Sequence, residues 1–168
     1  MGKKVLIVED EPELLAMMAD AFRRADLEVY TAGNGEVALE LFHTIHPDLV
    51  ITDIVMPAKE GVALIMDIKR SAYDAPVIAI SGGGTRACKD YLRWAKELGA
   101  ALVLQKPFRM SILLMMARFL MEKAAVAAAR PVPGRPLPNR PAPPVELADL
   151  FEDLFEESRG LGSSLNPA

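Results

Sequence analysis

The sequence predicts an α/β domain built on a doubly wound parallel sheet, and two observations carry that prediction. Apolar runs of strand length alternate with amphipathic stretches of helical length from residue 4 to about 129, the pattern of parallel strands joined by helices that cover both faces. Acidic residues and a lysine stand at the carboxyl ends of three of those runs, where an open sheet of this kind places its ligand crevice. Five βα units are counted, fewer than a closed barrel needs, and right-handed crossovers then favour an open sheet.

The strands are expected at about Lys4–Glu9, Glu28–Ala32, Leu49–Asp53, Val77–Ser81 and Ala101–Leu104. Between them, Leu14, Leu15, Met18, Ala21 and Phe22 form one helical face, and Val37, Ala38, Leu41 and Phe42 a second. Leu64, Ile65 and Ile68 supply a third, and Tyr91, Leu92, Ala95 and Leu98 a fourth, which Gly99 is placed to end as a left-handed cap. Ile112 to Leu120 make the fifth.

Composition excludes several function classes. A hydrophobic content of 51% supports a real core, while a net charge of −4 with scattered basic residues argues against nucleic acid as a partner. The single cysteine, Cys88, can form no internal disulfide and reads as a small helix-facing residue. Lys3-Lys4 precede only four clearly apolar residues before Glu9, too few for a secretory core, so the expected location is cytoplasmic. Met110 to Ala129, the most apolar region, is interrupted by Arg118, Glu122 and Lys123 and reads as a half-buried helix with no membrane role.

At Arg130 the composition changes. Residues 130–144 are dense in proline, which lacks the amide donor and restricts its neighbour, so a semi-rigid extended linker is expected after a domain at 1–129. Residues 145–159 then read as a short acidic amphipathic helix: Leu147, Leu150, Phe151, Leu154 and Phe155 share one face, and six acids occupy the rest before Arg159. So short a helix is marginal alone in water, which makes it a possible docking segment, onto a partner or onto the domain itself. Residues 160–168 read as disordered.

The chemistry lies at the strand ends. Asp53 closes the third run, Glu9-Asp10 the first, and Lys106 follows the fifth. Carboxylates brought together repel, so such a cluster calls for a positive partner. With oxygen ligands only, Mg2+ suits it better than zinc; His43 and His46 fall in the second helix and the turn after it and read as surface residues. A carboxylate beside Mg2+ can act as a nucleophile toward a phosphoryl group, with Lys106 as a second positive charge and Ser81 as a hydroxyl donor. The backbone amides of Gly82-Gly83-Gly84 offer a weak anion-binding feature.

Together, Glu9-Asp10, the segment Pro47 to Pro57, Gly61, Ser81, Gly99-Ala100 and Lys106-Pro107-Phe108 resemble the receiver domain of bacterial two-component response regulators over about residues 3–123. The resemblance implies a flavodoxin-like sheet of order 2-1-3-4-5 with five helices. It implies that Asp53 accepts a phosphoryl group from a phosphohistidine on a histidine kinase or histidine phosphotransfer protein, with only self-directed phosphotransfer and autodephosphorylation as activity. Asp10, Asp53 and the backbone carbonyl of Val55 would ligate Mg2+, and Glu9 would act through a water. Lys106, Ser81 and Gly82 would bind the phosphoryl group, with Ser81 moving toward it, and Lys106-Pro107 would be a cis peptide.

The chain departs from that family at one switch position. Receivers usually carry an aromatic residue three places before the lysine, and here that position is Val103. The Gly82 to Thr85 stretch also looks lengthened, suggesting a loop that orders when phosphate arrives. The residues after Arg130 have a net charge of −3 and build no DNA-binding module, so the expectation is a stand-alone receiver, monomeric or weakly dimeric, that signals to a downstream protein target. The alternative is a pseudo-receiver acting as a phosphorylation-independent interaction module. A small enzyme using the glycine loop for a cofactor phosphate is a third class, without a second catalytic base or cofactor fingerprint in its favour.

Overall fold

The computed structural model describes residues 2–56, 61–82, 93 and 95–129. The linker, the tail with Leu147, Leu150, Phe151, Leu154 and Phe155, and Gly83 to Thr85, Cys88, Tyr91 and Leu92 lie outside the described residues.

The elements follow the order β1 (Lys4–Val8), α1 (Pro12–Arg23), β2 (Glu28–Ala32), α2 (Gly35–Ile45), β3 (Leu49–Asp53), α3 (Gly61–Arg70) and β4 (Val77–Ser81). Then come a helix α4, of which 93 and 95–97 are described, β5 (Leu102–Gln105) and α5 (Met110–Ala129). The strands form one parallel sheet of order β2-β1-β3-β4-β5, the flavodoxin-like order. Its central strands are buried because both faces are covered, Val5 to Val8, all of β3 and all of β4, and they are apolar except for Thr52, Asp53 and Ser81 at their carboxyl ends. Leu6, Val8, Val50 and Ala79 pack in one core with Phe42 of α2 and Leu64, Ile65 and Ile68 of α3. Alternate residues Val5, Ile7 and Ile51 turn to the other face, where Met18 and Phe22 of α1 and Leu113 and Ala117 of α5 are buried.

Local signals fix the helix ends. Pro12 stands in the first turn of α1, where its missing N–H costs nothing, and Glu13 and Arg23 complement the helix dipole at the two ends. Asn34 caps α2, its Oδ1 accepting from the N–H groups of Glu36 at 3.0 Å and Val37 at 2.9 Å. Gly99 adopts a φ of 106°, the left-handed conformation expected of it, and its N–H donates to the Lys96 carbonyl.

Four expectations need correction. Strand β1 stops at Val8, so Glu9 is a loop residue, and β5 runs one residue later than expected, Leu102–Gln105. Val37 is exposed, because the inward face of α2 is set by Gly35, Ala38 and Phe42. On α1 the buried face is Met18, Ala19 and Phe22, with Leu14, Leu15 and Ala21 at its half-buried margin.

Candidate functional site: an acidic cluster closed by a lysine

The carboxyl ends of β1, β3 and β5 converge, and they bring Glu9, Asp10, Asp53 and Lys106 together. Glu9 follows the last residue of β1 and is held there by its N–H donating to the Ala32 carbonyl at 3.1 Å. It is 1% exposed, and Asp53, the last residue of β3, is 4% exposed. Asp10 is exposed at the rim. One carboxylate oxygen from each of Glu9, Asp10 and Asp53 lies within 4.8 Å of the others.

Lys106 closes this cluster from the end of β5. Its Nζ donates to Glu9 Oε2 at 2.8 Å and Oε1 at 3.0 Å, and to Asp53 Oδ2. Its own N–H donates to the Ser81 carbonyl at 2.8 Å, continuing the β4–β5 ladder one residue past Gln105, and the Lys106-Pro107 peptide is cis. Asp53 Oδ1 accepts from the Val55 N–H at 2.9 Å. Both oxygens of Asp53 are therefore engaged, and so are both of Glu9.

The electrostatics follow from burial against charge. Burial pushes the Glu9 carboxyl above its ordinary range, the hydrogen bonds from Lys106 oppose this, and the neighbouring Asp53 charge reinforces it. For Lys106, burial works against the charge, but the hydrogen bonds to Asp53 and Glu9 outweigh it and hold the ammonium above its usual value. A single ammonium, on a side chain that is 21% exposed, thus faces the two buried carboxylates of Glu9 and Asp53.

Ser81 ends β4, fully buried, opposite Gln105 in the register, and Gly82 follows it, close enough that a Cβ there would lie 3.3 Å from the Lys106 stem. Val103 sits on β5 opposite Ala79 and packs, half-buried, against the core. His43 and His46 are exposed.

Two residues at the site had no role assigned from the sequence. Thr52 is fully buried and donates its hydroxyl to the Asp53 carbonyl oxygen at 2.8 Å. Gly61 passes so close to Asp53 that a Cβ would lie 1.8 Å from that same oxygen. The available signal was a hydroxyl residue between the apolar run Leu49-Val50-Ile51 and Asp53.

A flavodoxin-like sheet carrying buried acids and a lysine at its carboxyl strand ends is an α/β domain with its ligand crevice at those ends. The family model of the response regulator receiver domain matches residues 5–118, and the chain belongs to that family. It is 36% identical over 112 residues to the chemotaxis protein CheY of Thermotoga maritima, covering 66% of this chain and 91% of that protein. It is 37% identical over 78 residues to the regulatory protein AtoC of Escherichia coli, covering 46% of this chain and 17% of AtoC. The transcriptional regulatory protein PdtaR of Mycobacterium tuberculosis is 34% identical over 113 residues, 67% of this chain and 53% of that protein. The chain thus spans about half or less of the length of these two regulatory proteins.

Among solved structures, the N-terminal domain of a Wolinella succinogenes protein superposes with a TM-score of 0.67 at 31% identity, covering 76% of this chain and 99% of that one. The BeF3-activated receiver domain of Klebsiella pneumoniae RstA superposes with a TM-score of 0.64 at 26% identity, covering 71% and 98%. Receiver domains act as signalling phosphoacceptors, bind Mg2+ in an acidic pocket, and interact with histidine kinases or phosphotransfer proteins and with downstream targets. Among the described residues, no helix is long and apolar enough to cross a membrane.

Proposed function

We propose that this chain takes a phosphoryl group on Asp53 from a phosphohistidine of a histidine kinase or histidine phosphotransfer protein, and that it signals by contact with another protein. The observation that carries this reading is the placement of Asp53: a buried carboxylate at a strand end, fixed by the Val55 N–H and the Lys106 ammonium beside two further acids. In the transfer, an Asp53 oxygen forms a bond to phosphorus as the phosphorus–nitrogen bond of the donor breaks, and the imidazole leaves with the bonding pair and takes up a proton. Such a transfer relies on positioning and charge neutralisation more than on acid–base groups.

The donor set fits Mg2+, being all oxygen, compact and partly open to water at Asp10. Asp10, Asp53 and the Val55 carbonyl would hold the ion, with Glu9 through a water. When bound, it supplies positive charge to the transferring phosphoryl oxygens. Lys106, now shared between Glu9 and Asp53, would pair with a phosphoryl group on Asp53. Ser81 and Gly82 complete the phosphoryl-binding side. Val103 offers no aromatic ring to move at that position, so the readout of Asp53 runs without one there. The acidic segment 145–159 is a docking segment in this reading, onto a partner or onto the domain itself.

The test is incubation with Mg2+ and a small phosphodonor such as acetyl phosphate, followed by intact-mass measurement. Wild type should gain the mass of one phosphoryl group and Asp53→Asn should not. An unchanged wild-type mass would favour the phosphorylation-independent interaction module.

A further inference from the structure

Asp53 needs more than its carboxylate contacts to be aimed, because the peptide that carries it lies where the sheet runs out. The β1–β3 register ends at Val8 opposite Thr52, so Asp53 has no residue across from it on that side. The Ile54 N–H donates to the Ile80 carbonyl of β4 at 2.8 Å. In a parallel strand neighbouring residues turn their amides to opposite sides, so the Asp53 carbonyl points toward β1, beyond the last paired residue. The Thr52 hydroxyl donates to that carbonyl at 2.8 Å from a fully buried side chain.

Gly61 closes the same carbonyl from the other direction. A Cβ at this position would lie 1.8 Å from the Asp53 oxygen, 2.8 Å from its carbonyl carbon and 2.9 Å from Ile54 Cα. The Gly61 N–H donates to the Ile54 carbonyl at 3.0 Å, which ties the start of α3 to the end of β3. The Asp53–Ile54 peptide is therefore fixed at its N–H by β4, at its C=O by Thr52, and sterically by Gly61. The next amide, Val55, donates to the Asp53 carboxylate.

We propose that Thr52 is a positioning residue for the phosphoacceptor: its hydroxyl, working against the bare Cα of Gly61, fixes the Asp53 peptide and so aims both the Asp53 carboxylate and the Val55 peptide. This rests on the reading of Asp53 as the phosphoacceptor. Thr52 touches neither donor nor phosphoryl group; it acts through Asp53.

Two variants separate the hydroxyl from the packing. Thr52→Val keeps the shape and removes the hydroxyl, whereas Thr52→Ser keeps the hydroxyl and removes a methyl from the core. Phosphorylation rates of the full chain with acetyl phosphate at saturating Mg2+ are compared with urea unfolding midpoints. A misaimed nucleophile should slow Thr52→Val by about tenfold or more, while Thr52→Ser stays within about twofold of wild type even though its unfolding midpoint falls. A wild-type rate in Thr52→Val, or rates that fall in both variants in step with stability, would overturn the positioning role while leaving Asp53 as phosphoacceptor. No phosphorylation of wild type would remove both readings.

Discussion

Lys106→Met tests whether one lysine holds the acidic cluster together. The substitution keeps most of the aliphatic stem and deletes the ammonium. Glu9 and Asp53 then lose the donor that reaches three of their four carboxylate oxygens. Removing one partner of a fully buried ion pair costs about 3–5 kcal/mol. Glu9 is 1% exposed, but Lys106 keeps 21% of its side-chain surface in solvent, and Glu9 can relieve the repulsion by taking up a proton. The expected loss near neutral pH, in buffer free of divalent cations, is therefore about 2–3 kcal/mol.

The pH dependence carries a definite sign. Burial already raises the Glu9 carboxyl above its ordinary value while Lys106 opposes it, so deleting Lys106 raises it further. A raised folded-state value gives stability that is present below the unfolded pKa and lost as pH rises through the folded one. The deficit of the variant should thus be largest near neutral pH and shrink as the solution is brought to about pH 5. Urea unfolding of both proteins across that range reads the difference directly. Added Mg2+ should restore more stability to the variant than to wild type, since an ion among the carboxylates supplies the missing charge. Equal stability of variant and wild type at neutral pH without Mg2+ would refute the reasoning.

Gly61→Ala places a methyl 1.8 Å from the Asp53 oxygen, which requires a local opening of about 1.5 Å to reach ordinary contact; urea unfolding should register a loss of about 2–3 kcal/mol. Asp48→Asn tests the opposite pole of the sheet. Burial works against the Asp48 charge there, yet hydrogen bonds from Lys3 Nζ at 2.7 Å and the Lys4 N–H at 2.8 Å prevail and hold the carboxyl below its usual value. A depressed folded value gives stability that is present above the unfolded pKa and lost as pH falls through the folded one, so this variant should lose roughly 0.5–1 kcal/mol near neutral pH and approach wild type as pH falls below the ordinary carboxylate range. Deleting residues 145–168 should leave the thermal midpoint within about 2 °C of wild type, as a partner-directed segment requires; a larger drop on calorimetry would assign it a stabilising role.

The central strands were legible because nothing competes with burial there. Each residue of β3 is buried, and the run is bounded in sequence by Pro47-Asp48 before it and by Met56-Pro57 after it, so its limits could be read to the residue. The edge strand β5 was harder: only Leu104 of its four residues is buried, and a half-solvated edge carries a weaker apolar signal. Val37 shows the limit of periodicity, since its place in the first turn of α2 is set by the Asn34 cap, which rotates it outward. The identity of the acids was readable, but not that Glu9 is as buried as Asp53. That depends on a lysine 97 residues away arriving beside it, and no local pattern encodes such a meeting.

The site was therefore legible as a list of groups and not as a set of constraints. Asp53, Asp10 and Lys106 stand out because charge at the end of an apolar run is conspicuous, whereas Thr52 and Gly61 do not, because they act on a backbone oxygen. An acid at a strand end is aimed only if its own peptide is held. At Asp53 the ladder to β1 has already stopped, and a hydroxyl and a missing side chain do what a neighbouring strand does elsewhere. The same logic bears on signalling. Val103 fills its place on β5 against Ala79 and the core without a ring that could move, whereas Asp53 is joined to its surroundings by its own backbone and by Lys106. The Asp53–Ile54–Val55 segment, tied to β4 through Ile80 and to α3 through Gly61, is the part of the fold with both connections already made.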